Sequence, residues 1–149
     1  MTYYKRKSTK IPGYDYSSCN YYFLTVCTHN RRCIFGFPDK LNEYGKCAQA
    51  HINQLVRHYK GLSILKYVVM PNHIHLIIQI EDHEESPNIC QVMAQYKSGV
   101  AREIHKIDPD LSVWQRSFHD HIIRNQKSFE NIWLYIEGNP QCWEKDCFY

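Results

Sequence analysis

The sequence lacks the features of membrane-spanning and exported proteins. No apolar run reaches the roughly 18 residues that a helix needs to cross a bilayer. The first seven residues include three basic ones, Lys5, Arg6 and Lys7, but the apolar stretch of a signal peptide does not follow them. We therefore expect a soluble, cytoplasmic protein with no membrane partner.

Cysteine is present, but its spacing matches no common disulfide or metal-binding motif. The count of seven is odd, and no two cysteines form a C-x-x-C pair. This pattern argues against a secreted disulfide framework and against a zinc ribbon. We expect most of the thiols to be reduced and to act as small core residues.

Internal repeats, low-complexity tracts and long linkers are also missing from the 149 residues. The chain is therefore predicted to be one domain over residues 1–149, with a basic N-terminal arm over residues 1–20. Hydrophobic residues make up 44% and charged residues 22%, which is typical of an ordinary folded protein. The net charge of +3 permits a polyanionic partner without requiring one.

Hydrophobic periodicity and turn residues predict four strands and three helices. The strands are expected at residues 21–28, 62–70, 73–80 and 112–124, and the helices at residues 41–59, 87–104 and 127–138. Only Pro71 and Asn72 separate the second and third strands, so these should form an antiparallel hairpin. The order predicts an α+β fold, a ferredoxin-like β-α-β-β-α-β sandwich with an added C-terminal helix.

His73 and His75 stand one residue apart on the third predicted strand, so both side chains leave the same face. The opposite face is an aliphatic row suited to a core, formed by Ile74, Leu76, Ile78 and Ile80. Two imidazoles on one rigid strand can reach a single divalent ion. Alone, the pair leaves two interpretations open, a metal site or two partly exposed histidines beside a turn.

Tyr135 and Asn139 lie four residues apart on the last predicted helix and therefore share a face. Such a tyrosine can lean over the sheet, or it can cap the edge of the core. Tyr96 is its closest rival as a nucleophile, because it too lies on a predicted helix. Its position within the apolar stripe of that helix favours packing.

Residues 113–121 interleave aromatic, amide and basic side chains, among them Trp114, Gln115 and Arg116. Cations for phosphates and rings for bases are what a groove for single-stranded nucleic acid needs. A half-buried edge strand with polar side chains would have the same composition, so both interpretations stay open. The segment also holds a second His-x-His pair, His119 and His121.

Six blocks appear in an order that resembles the REP-associated tyrosine transposases, relatives of the single-tyrosine HUH transposases of small bacterial insertion sequences. They lie at residues 10–16, 25–31, 70–75, 114–116, 121–125 and 135–140. The similarity spans nearly the whole chain. The block M-P-N-H-I-H-L together with the later Y-I-x-x-N-P is specific, whereas either one alone is not.

This resemblance implies an HUH fold that cleaves and rejoins single-stranded DNA beside a hairpin through a covalent 5′-phosphotyrosine. It implies Tyr135 as the nucleophile, with His73, His75 and Asn139 holding a divalent Mg²⁺ or Mn²⁺ ion. His119 and His121 are not assigned to that ion. The DNA-binding side chains that we expect are Lys97, Trp114, Gln115, Arg116 and Arg124.

Three other functions stay open from the residues themselves. The first is a nucleic-acid-binding domain without catalysis, as in a domesticated relative. The second is a zinc-dependent hydrolase, for which no third strong ligand is found at motif spacing. The third is an interaction module on the same fold. Monomer and homodimer are equally compatible with the resemblance.

Overall fold

The computed structural model describes residues 20–81 and 85–141, and the predicted basic arm lies outside them except for Asn20. Two short 3-10 segments, His29–Arg31 and Asn139–Gln141, accompany the regular elements. The strands and helices of the described part are β1 (Asn20–Cys27), β2 (Gly36–Phe37), β3 (Lys40–Leu41), α1 (Glu43–His58), β4 (Leu62–Val69), β5 (His73–Ile80), α2 (Ile89–His105), β6 (His119–Ile123) and α3 (Gln126–Gly138).

Four of these strands form one sheet in the order β4-β5-β1-β6, and each neighbouring pair is antiparallel. Helix α1 connects β1 to β4, and α2 connects β5 to β6, so two β-α-β units interleave in the sheet. This is the ferredoxin-like arrangement, and α3 follows it as an addition. The predicted fold class is confirmed.

The main core lies between the sheet and the two helices α1 and α2. Alternate residues of β1 and β5 point into it, which follows from the two-residue repeat of a strand. Its fully buried strand residues are Tyr22, Leu24, Val26, Ile74, Leu76, Ile78 and Ile80. The predicted aliphatic row of β5 is therefore the floor of this core.

A smaller cluster lies on the other face of the sheet, beneath α3. Ile136 of α3 packs there against Ile77 of β5 and Ile123 of β6, with Phe129, Ile132 and Trp133 half-buried around them. These four α3 side chains recur at positions i, i+3, i+4 and i+7 and therefore share one side of the helix. Helix α3 therefore covers the face to which His73 and His75 belong.

Each helix begins at an asparagine whose side chain accepts a hydrogen bond from the first turn. The caps are Asn42 for α1, Asn88 for α2 and Asn125 for α3. An N-cap side chain of this kind satisfies a backbone N–H that has no partner within the helix. The prediction that Pro87 occupies the first turn of α2 is wrong, because Pro87 precedes the cap.

The predicted strand over residues 112–124 is correct only from His119 onward. Before it, Trp114 forms a single bridge with Thr28, and Ser117 has a φ of +71°. A non-glycine residue in the left-handed region interrupts an extended strand. The short hairpin of β2 and β3 was not predicted, since two residues cannot display an alternation. No helix in the described ranges is both long and apolar enough to cross a membrane.

Candidate active site

The two histidines of β5 lie on the sheet face beneath α3, and both side chains are fully buried. Their ring centroids are 4.7 Å apart. The antiparallel register sets His73 opposite Cys27 and His75 opposite Thr25 of β1. The alternative of two partly exposed histidines beside a turn is wrong, because α3 and the neighbouring strands enclose them.

Hydrogen bonds hold the Nδ1 atom of each ring. His73 Nδ1 lies 2.7 Å from Asn72 Oδ1, and His75 Nδ1 lies 2.9 Å from Thr25 Oγ1. The Asn72 amide group donates to the carbonyl oxygen of Arg31, which leaves its Oδ1 as an acceptor. His73 therefore carries its proton on Nδ1, and Nε2 is the nitrogen whose lone pair can bind a cation.

Thr25 and Asn72 are site residues that the sequence did not predict. Asn72 directly precedes His73, and its position in the turn was the available signal. Thr25 lies 50 positions before His75. The pairing of β1 with β5 brings Thr25 to His75, and a contact between residues this far apart in the sequence is not visible in the spacing within either strand.

Tyr135 extends from α3 toward His75. Its ring centroid lies 5.3 Å from that of His75, with an interplanar angle of 60°. The ring also meets Phe23 of β1 edge-on, with centroids 6.3 Å apart, and Phe23 itself lies 5.2 Å from the His75 ring. The side chain is 39% exposed, so the phenol contacts the buried rings and also reaches the surface. The structure thus brings Tyr135 and His75 together.

Asn139 caps the C-terminal end of α3, one helical turn after Tyr135. Its side chain is buried, and Oδ1 has no hydrogen-bond partner among the residues that the structure describes. Leaving such an oxygen unpaired costs about 1–3 kcal/mol, which a cation bound to it would offset. Two imidazole nitrogens and one amide oxygen are a donor set that suits several divalent ions, so these residues fit a metal.

Tyr96, the rival tyrosine, lies on the other side of the sheet. It is 2% exposed within the main core, and its hydroxyl donates to the carbonyl oxygen of Ala48 at 2.9 Å. Burial raises its pKa well above the ordinary value. A phenol without solvent contact and with a raised pKa is a poor nucleophile, and this favours Tyr135.

The second histidine pair lies on β6, on the same sheet face. His119 stands opposite Thr25, which in turn stands opposite His75, and both β6 histidines are exposed. Two strand spacings separate His119 from His75, about 10 Å along the sheet. The β6 pair therefore flanks the buried site.

Gln115 and Arg116 line a cavity of about 460 Å³ beside the end of β1. The other lining residues are His29, Asn30 and Arg31, and the last two adopt left-handed backbone conformations with φ of +53°. Arg31 and Arg116 are both exposed. Two guanidinium groups at one cavity suit a phosphate-bearing chain.

Lys97 and Trp114 hold the neighbouring segment in place. The ammonium group of Lys97 donates to the carbonyl oxygens of Gln115 and Ser117, at 2.7 and 2.8 Å. The indole N–H of Trp114 donates to the Lys97 carbonyl oxygen, and its half-buried ring packs near Phe35. Both side chains therefore hold the segment over residues 114–117 against α2.

Arg124 lies far from Arg116. It is exposed at the end of β6 that pairs with the start of β1, beside a cavity of about 500 Å³. Tyr21, Gln79 and Phe129 also line that cavity. The structure therefore places the two arginines at opposite ends of the sheet.

Comparison with known sequences finds relatives over most of the chain. The family model described as "Transposase IS200 like" matches residues 15–139. An uncharacterized protein of Haemophilus influenzae is 30% identical over 167 residues, covering 97% of this chain and 93% of the relative. A second Haemophilus influenzae protein, provisionally named a REP-associated tyrosine transposase, is 25% identical over 134 residues, covering 85% and 73%.

Two solved structures share the fold. The structure of a REP-associated tyrosine transposase bound to a REP hairpin superposes with a TM-score of 0.72 at 22% identity, covering 90% of this chain and 73% of that one. The crystal structure of a protein provisionally described as a transposase, from Deinococcus radiodurans, gives 0.51 at 20% identity, covering 87% and 95%.

Proposed function

The chain belongs to the IS200-like transposase family, and on that premise we propose that it is a metal-dependent endonuclease for single-stranded DNA. It cuts and rejoins DNA beside hairpins through a covalent 5′-phosphotyrosine. The observation that carries the proposal is the ring contact of the half-exposed Tyr135 with the buried His75.

The reaction exchanges one phosphodiester for another. The Tyr135 hydroxyl oxygen attacks the scissile phosphorus in line with the 3′-oxygen, loses its proton, and forms the phosphotyrosine bond. The bond from phosphorus to the 3′-oxygen breaks, and that oxygen takes up a proton from solvent. Because the ester is retained, a different 3′-hydroxyl can reverse the step and join a new strand without ATP.

His73, His75 and Asn139 are the residues that would hold the divalent ion. Bound Mg²⁺ or Mn²⁺ would polarise a non-bridging phosphate oxygen and stabilise charge on the leaving 3′-oxygen. Asn72 and Thr25 each hydrogen-bond one imidazole, which fixes the ring orientations before DNA arrives. The orphaned Oδ1 of Asn139 supports its inclusion in the set.

Single-stranded DNA next to a hairpin is the proposed substrate, and the solved relative bound to a REP hairpin supports this. Splaying bases out of a duplex costs a few kcal/mol, which a single strand avoids. Arg116 and Gln115 would bind the DNA strand near the end of β1 that is close to the catalytic residues. Arg124 would bind a part of the DNA farther from the cleaved bond. Lys97 and Trp114 would act indirectly, by holding the segment that carries Arg116.

The remaining parts of the proposal are a single domain over residues 1–149 and action in the cytoplasm. A homodimer on DNA is included, since recombining two strands can use two nucleophiles. Light scattering of the protein with one hairpin equivalent decides between one and two copies per complex.

Covalent trapping tests the proposed reaction. Labelled hairpin DNA with a single-stranded flank should give a Mn²⁺-dependent adduct on a denaturing gel. Tyr135→Phe should abolish the adduct and leave hairpin affinity unchanged, because only the nucleophilic oxygen is lost. Tyr21→Phe is the matched control, since Tyr21 is 38% exposed on the same sheet face, and it should retain the adduct.

Two outcomes would contradict the proposal. An adduct formed by Tyr135→Phe would assign the nucleophile to another residue. Hairpin binding by the unaltered chain, without any adduct at any metal concentration, would instead support the DNA-binding domain without catalysis.

A further inference from the structure

A second cluster of metal-ligating side chains lies on the helix layer, on the far side of the sheet from His73. Cys47 and His51 are one turn apart on α1, and Glu103 faces them from α2. Cys47 Sγ and His51 Nε2 each lie 3.0 Å from the same carboxylate oxygen of Glu103. All three ligand atoms fall within 4.8 Å of one another.

The helix packing leaves room for this cluster. A Cβ atom at Gly99 of α2 would lie 3.1 Å from the Cε1 and Nδ1 atoms of His51. Glycine is unfavourable inside a helix, and the space that it leaves is filled by the imidazole. A cavity of about 270 Å³ opens beside Cys47 and Glu103, so a further ligand such as water has access.

The hydrogen bonds describe the cluster before a metal binds. Burial, followed by the hydrogen bond to Glu103 and its charge, raises the pKa of the Cys47 thiol to about 12. Hydrogen bonds from Cys47 and His51 keep the pKa of Glu103 below its ordinary value. The thiol and the imidazole thus direct their protons to one carboxylate, at the point where a cation would replace them.

The donor set and its dimensions suit zinc. Thiolate, imidazole and carboxylate are the three ligand types that Zn²⁺ uses in proteins. Its bond lengths and tetrahedral angles require ligand atoms roughly 3.3–3.6 Å apart. The observed separations, from 3.0 Å to within 4.8 Å, need only small side-chain adjustments.

We propose that Cys47, His51 and Glu103 form a zinc site that ties α1 to α2 and leaves a fourth position for water. On binding, the Cys47 thiol becomes a thiolate and releases its proton to solvent. His51 binds the ion through its Nε2 lone pair, and Glu103 binds it through a carboxylate oxygen. The site is separate from the proposed catalytic one and does not depend on that function.

Cobalt titration of the full chain tests the site, because a Co²⁺–thiolate bond absorbs in the near ultraviolet and Co²⁺ is displaced by Zn²⁺. One equivalent should produce this absorption in the unaltered protein, in Cys33→Ser and in the His73→Ala/His75→Ala double variant. Cys47→Ser should abolish it. In the His73→Ala/His75→Ala background, which removes the proposed catalytic site, Zn²⁺ should also raise the melting temperature by mass action, and adding Cys47→Ser should abolish that rise.

Glu103→Gln is a second test for the case in which Cys47→Ser folds poorly. The Glu103 side chain is 51% exposed, so this substitution should leave folding intact. It should weaken Co²⁺ binding by more than about 10-fold, since the loss of even an outer partner costs 10–100-fold at metal sites. Absence of the absorption in the unaltered protein would overturn the proposal. So would its persistence in Cys47→Ser, or unchanged cobalt affinity in Glu103→Gln.

Discussion

The two faces of the sheet are built from the same strands but serve different purposes. The face toward α1 and α2 is a continuous apolar core in which every second residue from Tyr22 to Val26 of β1 and from Ile74 to Ile80 of β5 is fully buried. The face toward α3 alternates a small apolar cluster with His73, His75 and Thr25, all of them buried as well. Burial alone therefore does not separate structural from candidate functional positions.

What separates the faces is how their buried groups are satisfied. The core side chains need only close packing. The polar groups beneath α3 need specific partners, and Asn139 Oδ1 lacks one among the described residues. A buried polar group without a partner destabilises the fold, so the α3 face is where a ligand would be stabilising.

The sharpest contrast between the faces should come from Leu76→Ala, whose side chain is fully buried in the main core. We expect a loss of about 2–5 kcal/mol of stability, because the cavity is surrounded by packed strands and helices. Urea unfolding measures it. Leu134→Ala, at a side chain 63% exposed on α3, should change stability by less than about 0.5 kcal/mol. Equal losses would mean that the core is not tightly packed.

Substitutions of two buried threonines separate effects on metal affinity from effects on stability. Thr25 is hydrogen-bonded to His75, whereas the Thr28 hydroxyl shares its one proton between two backbone carbonyl oxygens, and both side chains are buried. Thr25→Val should lower Mn²⁺ affinity about 10–100-fold, because the imidazole loses its orienting partner. Thr28→Val should lower stability without that loss. Calorimetric titration decides, and equal Mn²⁺ affinities would remove Thr25 from the site.

The smallest expected effect comes from removing the N-cap of α2 or of α3, the helices that cover opposite faces of the sheet. Asn125→Ala in α3 and Asn88→Ala in α2 each delete one side-chain hydrogen bond to the first turn, worth about 0.5–2 kcal/mol. Asn88→Ala should reduce global stability and leave adduct formation per folded molecule unchanged. Asn125→Ala should slow adduct formation, because α3 carries Tyr135 over a small cluster. Single-turnover trapping with urea unfolding compares them, and identical rates would make α3 a passive cover.

Much of the fold followed from periodic patterns. Alternation predicted the eight residues of β5 and its two faces, and hydrophobic periodicity predicted α3 to within one residue of its observed bounds. Such patterns are local, because the polarity of each residue depends on whether that position is buried or exposed. The strand prediction was wrong for the residues before His119 for the same reason. The left-handed backbone of Ser117 and the hydrogen bond from Lys97 to its carbonyl oxygen do not change the hydrophobic pattern of the sequence.

For the candidate site, the sequence by itself determined the residue types and their spacing along each element, namely His73 with His75 and Tyr135 with Asn139. Only the tertiary structure decided that Thr25 and Asn72 orient the rings, that Lys97 and Trp114 support a loop, and that Cys47 and His51 meet Glu103. The physical reason is that a strand register or a helix crossing is set by the packing of the whole core. Contacts between distant residues therefore exist only once that core has formed.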